Sequence, residues 1–163
     1  MSDSIKVQYD YIKNTRNVLL SFLEQLPKHV LHEVVPNFGF GCIINTHIHV
    51  ADCYQYWLGT FGLRVEGLSF ATKEEIENAD VNWVRERFDK VDLIVQTFIE
   101  KYSSEWTMNI SGNVKWQAEP WKTTPLWLIT HAETHEFHHK GQIVTMARQL
   151  GFEPPDTDLA VIE

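Results

Sequence analysis

Four segments of this chain place apolar residues at alternating steps of three and four, which restricts them to helices with one buried face. In residues 4–26 the stripe is Ile5, Tyr9, Ile12, Leu19, Leu23 and Leu26, and Pro27 ends it. Residues 41–59 repeat the pattern through Ile43, Val50, Tyr54 and Trp57, with Phe61 just beyond; Gly59 and Gly62 read as a frayed helix end. Thr72 and Glu75 match a T-x-x-E capping box, and Asp80 offers a second cap. From there to Tyr102 the period runs through Val84, Phe88, Val91, Val95 and Phe98. The last helix is expected to start at Pro125 behind the cap Thr124, run to Leu150 and stop at Gly151.

Helices with one apolar face bury it against each other, so the expected fold is all-α, a four-helix bundle in a single domain over residues 1–163. The connection 27–40 has room for one helical turn before Pro36, and its His29 and His32 read as surface residues. Residues 104–124 break the helical period. Met108, Ile110, Val114 and Trp116 alternate around Ser-Gly-Asn, which predicts a short hairpin or structured loop before the last helix. Most tryptophans are expected in the core, with those of this excursion at a pocket mouth.

Charge narrows the partners. With a formal net charge of −8, the chain lacks the basic face that displaces counterions from nucleic acid. No stretch approaches the roughly 20 apolar residues of a membrane span. The start "MSDSIKVQYDYIK" lacks the basic-then-apolar pattern of a secretory signal, so a cytoplasmic location is expected. Cys42 and Cys53, placed on one helix, lie about 16 Å apart along its axis, too far for a disulfide, and are expected to be free thiols.

Chemistry concentrates in "HAETHEFHHKGQ", residues 131–142, where His131, His135, His138 and His139 fall together. On a helical wheel Leu128, Ala132, Ile143 and Met146 define the core arc, and His135 and His139 lie within about 20° of its centre. His131 is intermediate and His138 points to the rim. Glu136 falls well away from the core arc and reads as solvated, Gln142 lies beside His139, and Gly141 would admit a neighbouring helix. Two inward imidazoles one turn apart need partners, and a metal ion or other side chains could serve. A third ligand must come from another helix. His47 lies nearer the apolar stripe of residues 41–59 and His49 at its flank with Cys53, and the wheel does not choose between them.

Two segments carry a family resemblance. "HVADCYQYWLG" (49–59) resembles the H-x-A-D-x-x-x-x-W segment of the DinB family, the DNA-damage-inducible bundle proteins. "HEFHHKGQIVTMARQLG" (135–151) resembles that family's closing H-x-x-x-H-[RK]-G-Q motif and the apolar helix that follows it. The resemblance covers essentially the whole chain. It implies a four-helix bundle, often a homodimer, with a divalent metal ion (zinc, nickel or iron) on His49, His135 and His139. Many relatives carry an acidic residue five positions after the first ligand, where this chain has Tyr54.

Three neutral imidazoles leave a metal with an open position for water or substrate. Such a set leans toward chemistry, and together with the resemblance it implies a metal-dependent enzyme of stress or detoxification. By resemblance it would be a thiol S-transferase, taking a low-molecular-weight thiol and a small-molecule electrophile, or a hydrolase. The alternative is a non-catalytic metal-binding stress-response module.

Overall fold

A computed structural model describes residues 2–159. Helix α1 spans Ser2–Leu23, α2 Lys28–His32, α3 Ile43–Tyr54, α4 Lys73–Asn78, α5 Val81–Lys101 and α6 Pro125–Gln149. A two-stranded antiparallel hairpin, β1 (Ile110–Gly112) and β2 (Trp121–Thr123), precedes α6. Helix α3 packs on both α5 and α6, and α1 packs on α5. Polar side chains join α1 to α6, so the bundle closes in the order α1–α5–α3–α6. The core between them is built from residues such as Leu19, Leu23, Ile44, Leu58, Val91, Phe98, Leu128 and Ile143.

The helix starts follow local chemistry. Thr72 and Glu75 form a reciprocal capping box at α4. The side chains of Asp80 and Thr124 accept from the N–H groups of Trp83 and Trp127 at the starts of α5 and α6. Both candidate caps are used, because Ala79 turns extended between α4 and α5 and Asp80 caps afresh. The hairpin is also longer than its turn signal suggested. Ser111 and Gly112 lie within β1, opposite Lys122 and Trp121, so the connection runs through 113–120.

Gly59 and Gly62 do not mark a frayed end. After Tyr54 the helix widens into a π-helical segment, Gln55–Leu63, closed by Arg64 in the left-handed region (φ 64°). Both glycines admit neighbours. A Cβ on Gly59 would stand 2.5 Å from Leu68 Cδ1, and one on Gly62 2.4 Å from Phe98 Cε2. Gly141, expected to admit a helix, has nothing within 4 Å of its missing Cβ among the described residues.

A polar knot crosses the bundle centre. The Arg16 guanidinium donates from Nε to Glu136 Oε1 (2.8 Å) and from Nη2 to Oε2 (3.0 Å). Tyr54 Oη donates to Glu136 Oε2 (2.8 Å), and Arg16 Nη1 also reaches Asp92 Oδ1 (2.9 Å). Arg16 and Glu136 are 2% and 3% exposed, which overturns the reading of Glu136 as solvated. A carboxylate is stable there only because a guanidinium meets it bidentately. Arg16 sits in the apolar spacing between Ile12 and Leu19, and a charge at a core position was the available signal for this pair.

Candidate metal centre

The seam between α3 and α6 brings together what lies far apart in sequence. Residues one turn apart share a helix face, so α6 presents His131, His135 and His139 in a row, and α3 presents His49 and Cys53. His49 meets His135 and His139. Cys53, one turn further along α3, meets His131 and His135. The two helices therefore run in opposite directions here.

His49, His135 and His139 each offer a ligand atom, and these atoms lie within 4.8 Å of one another. His49 Nε2 and His135 Nε2 stand 3.0 Å apart. An ion held by imidazole nitrogens at about 2.0–2.1 Å places them about 2.9–3.4 Å apart, so this pair already has the spacing of two ligands on one ion. Burial, and then the neighbouring imidazoles, push His135 down to about 3 and His49 down to about 4. His139 is lowered by burial, against the pull of its hydrogen bond to Gln142. All three rings are thus neutral at neutral pH, the state in which imidazole ligates a metal.

The tautomer of His139 is fixed. Gln142 Oε1 accepts from His139 Nδ1–H at 2.7 Å, which leaves the lone pair on Nε2. The Gln142 amide N–H donates to His138 Nε2 at 3.1 Å. His138, exposed at the rim, thus holds the amide that holds the candidate ligand. Phe40 stacks on His49 with ring centroids 3.8 Å apart. Phe40 lies in the connection before α3 and carried no signal in the sequence.

The other candidates fall elsewhere. His47 is buried on the opposite side, against Phe88, with no partner for Nδ1 among the described residues; burial, then Arg16, Lys140 and Arg85, push it down to about 3. His29 is exposed, as expected, whereas His32 is half-buried and donates from Nε2 to the Ala79 carbonyl (2.9 Å). His131 stacks on Trp127, centroids 4.8 Å apart and planes 6° from parallel. Cys42 and Cys53 are free and buried. Glu133 accepts from Gln8 through one oxygen, and burial raises its carboxyl to about 7.

A cavity of about 440 Å³ opens against His49 and His135 and is walled by Phe40, Tyr56, Trp57 and Phe70. A larger cleft of about 630 Å³ between α1 and α5 is lined by Lys6, Lys13, Asp89 and Asp92. That cleft contains neither histidine nor cysteine, so the smaller cavity is the one with chemistry at its wall. Trp116 and Trp121, expected at the mouth, pack instead on Trp57, which itself lines the cavity. Of the tryptophans, Trp106 is buried, while Trp116 and Trp127 are 59% and 42% exposed. Among the described residues no helix is long and apolar enough to cross a membrane.

Fold and site together define a helical-bundle protein with a histidine triad at the seam of two helices, open to an aromatic-walled cavity. The chain belongs to the DinB family, which it matches over residues 1–163. It is 23% identical to Protein DinB of Bacillus subtilis (strain 168) over 161 residues, 97% of this chain and 92% of that protein. A crystal structure of a DinB-like protein from Bacillus cereus ATCC 10987 superposes with a TM-score of 0.57 at 18% identity. The superposition covers 94% of this chain and 95% of that one, and it shows a shared fold.

Proposed function

We propose that His49, His135 and His139 hold a divalent metal ion and that the protein is an enzyme acting on a small molecule in the adjoining cavity, of the thiol S-transferase type. The observation that carries this reading is the convergence of three neutral imidazoles, two of which, His49 and His135, line a 440 Å³ cavity. A structural ion is usually enclosed by four protein ligands, whereas a three-ligand set beside a cavity suits exchange with substrate.

When bound, the ion lowers the pKa of a thiol or water held in its open position. The protein's own residues prepare the site for it. Gln142 fixes the His139 tautomer, and Phe40 holds the His49 ring by stacking. Phe40, Tyr56, Trp57 and Phe70 exclude water and receive an apolar electrophile. In the transfer, the thiolate sulfur bonds to the electrophilic carbon and the leaving group departs with the bonding electrons.

The test supplies the purified protein with metal, a low-molecular-weight bacterial thiol and a model electrophile, and compares it with His135→Ala. Loss of thiol consumption in the variant is the expected result. Equal rates overturn the enzyme reading. Stoichiometric metal and chelator-sensitive melting without turnover would favour the non-catalytic metal-binding module.

A further inference from the structure

The row of donors along the α3–α6 seam does not end with the histidine triad. One turn along, Cys53, His131 and His135 offer a second group of ligand atoms, again within 4.8 Å of one another. The helical repeat produces it. His49 and Cys53 are four residues apart on α3, and His131 and His135 four apart on α6, so the antiparallel seam carries two rungs that share His135. The first rung is all nitrogen. The second replaces one imidazole with sulfur.

The geometry points to Cys53, His131 and His135 as a second metal-binding set that takes thiophilic cations, such as cadmium, in preference to the all-nitrogen rung. Thiolate is the softest ligand on offer, and soft ions follow it. The site is reachable, because all three residues line the 440 Å³ cavity. It is also held in place. His131 is fixed by its stack on Trp127 and by edge contact with Trp57, and Cys53 is only 7% exposed. Coordination through Sγ releases the thiol proton to solvent as the metal–sulfur bond forms. The set shares one residue with the proposed triad, yet it stands or falls on its own. Cys53 and His131 are not triad members, and His49 and His139 are not needed for it.

The test titrates cadmium into the metal-free, full-length protein and records the ultraviolet thiolate-to-cadmium charge-transfer band, with parallel titrations of Cys53→Ser, Cys42→Ser, His131→Ala and His49→Ala. The wild type should develop the band at one equivalent. Cys53→Ser should abolish it and Cys42→Ser should keep it. His131→Ala should weaken cadmium binding at least about tenfold, the lower end of what even outer-shell changes produce. His49→Ala should retain the band. A wild type without the band, a band that follows Cys42, or an unchanged affinity in His131→Ala overturns the second set. Metal bound by Cys53→Ser reports on the triad separately, so its absence would count against the triad alone.

Discussion

Removing the Glu136 carboxylate should destabilise the bundle more than any change at a histidine. In Glu136→Ala, Arg16 stays 2% exposed and loses a bidentate partner at 2.8 and 3.0 Å, while Tyr54 loses its acceptor. Breaking one side of a buried pair costs about 3–5 kcal/mol. Asp92 still meets Arg16 Nη1, which favours the lower end, and the orphaned Tyr54 hydroxyl adds about 1 kcal/mol. The expected loss is therefore about 3–4 kcal/mol, a large share of a stability of about 5–15 kcal/mol. At about 2–4 °C per kcal/mol for a chain of this size, the Tm should fall by about 6–16 °C. Urea unfolding followed by far-ultraviolet circular dichroism gives the free energy directly. The paired variant Arg16→Leu with Glu136→Leu removes both charges. It should be more stable than the sum of the single variants by about 2 kcal/mol, because neither charge is left stranded. A loss below about 1 kcal/mol in Glu136→Ala, or strict additivity in the pair, would refute the buried-pair account.

Gln142→Leu removes the acceptor that fixes His139 and should weaken metal binding about tenfold, measured by competition with a chelating dye; unchanged affinity would leave Gln142 with a packing role only. Gly62→Ala would drive a methyl into the Phe98 ring and should cost about 1–3 kcal/mol in urea unfolding, whereas Gly141→Ala, with open space, should be neutral or stabilising. Burial works to raise the Asp92 carboxyl, but Arg16, Lys13 and Tyr9 outweigh it and hold it below the usual range. A carboxyl whose folded value is depressed contributes stability in full above its unfolded value and loses it as pH falls through the folded one. Asp92→Asn should therefore flatten the decline of the urea midpoint below about pH 4, and an unchanged slope would show that Asp92 carries none of it.

The helices were legible because burial on one side imposes a period, and their caps because Thr72, Asp80 and Thr124 act on N–H groups three residues away. His135 and His139 were legible for the same reason. The choice between His47 and His49 was not, since α3 is buried nearly all round: Ile43, Ile44, Thr46, Ile48, Val50, Ala51 and Tyr54 leave no solvent face to set the phase. The structure puts His49 beside His135 and His139, and His47 against Phe88. Glu136 was misread because its partner Arg16 lies 120 residues away, and no local pattern encodes so distant a pairing.

The π-helical segment has a consequence for comparisons between relatives. Each of its turns holds one residue more than an α-turn, so the chain is shifted in phase as it passes from Cys53 to Trp57 and Phe61. Deleting Gln55 or Tyr56 would bring Trp57 one position closer to Cys53 and rotate it by about 100° away from His131, while every histidine kept its identity. The length of this segment therefore helps set which aromatic rings face the imidazoles. The identity of the histidines alone does not reveal that change.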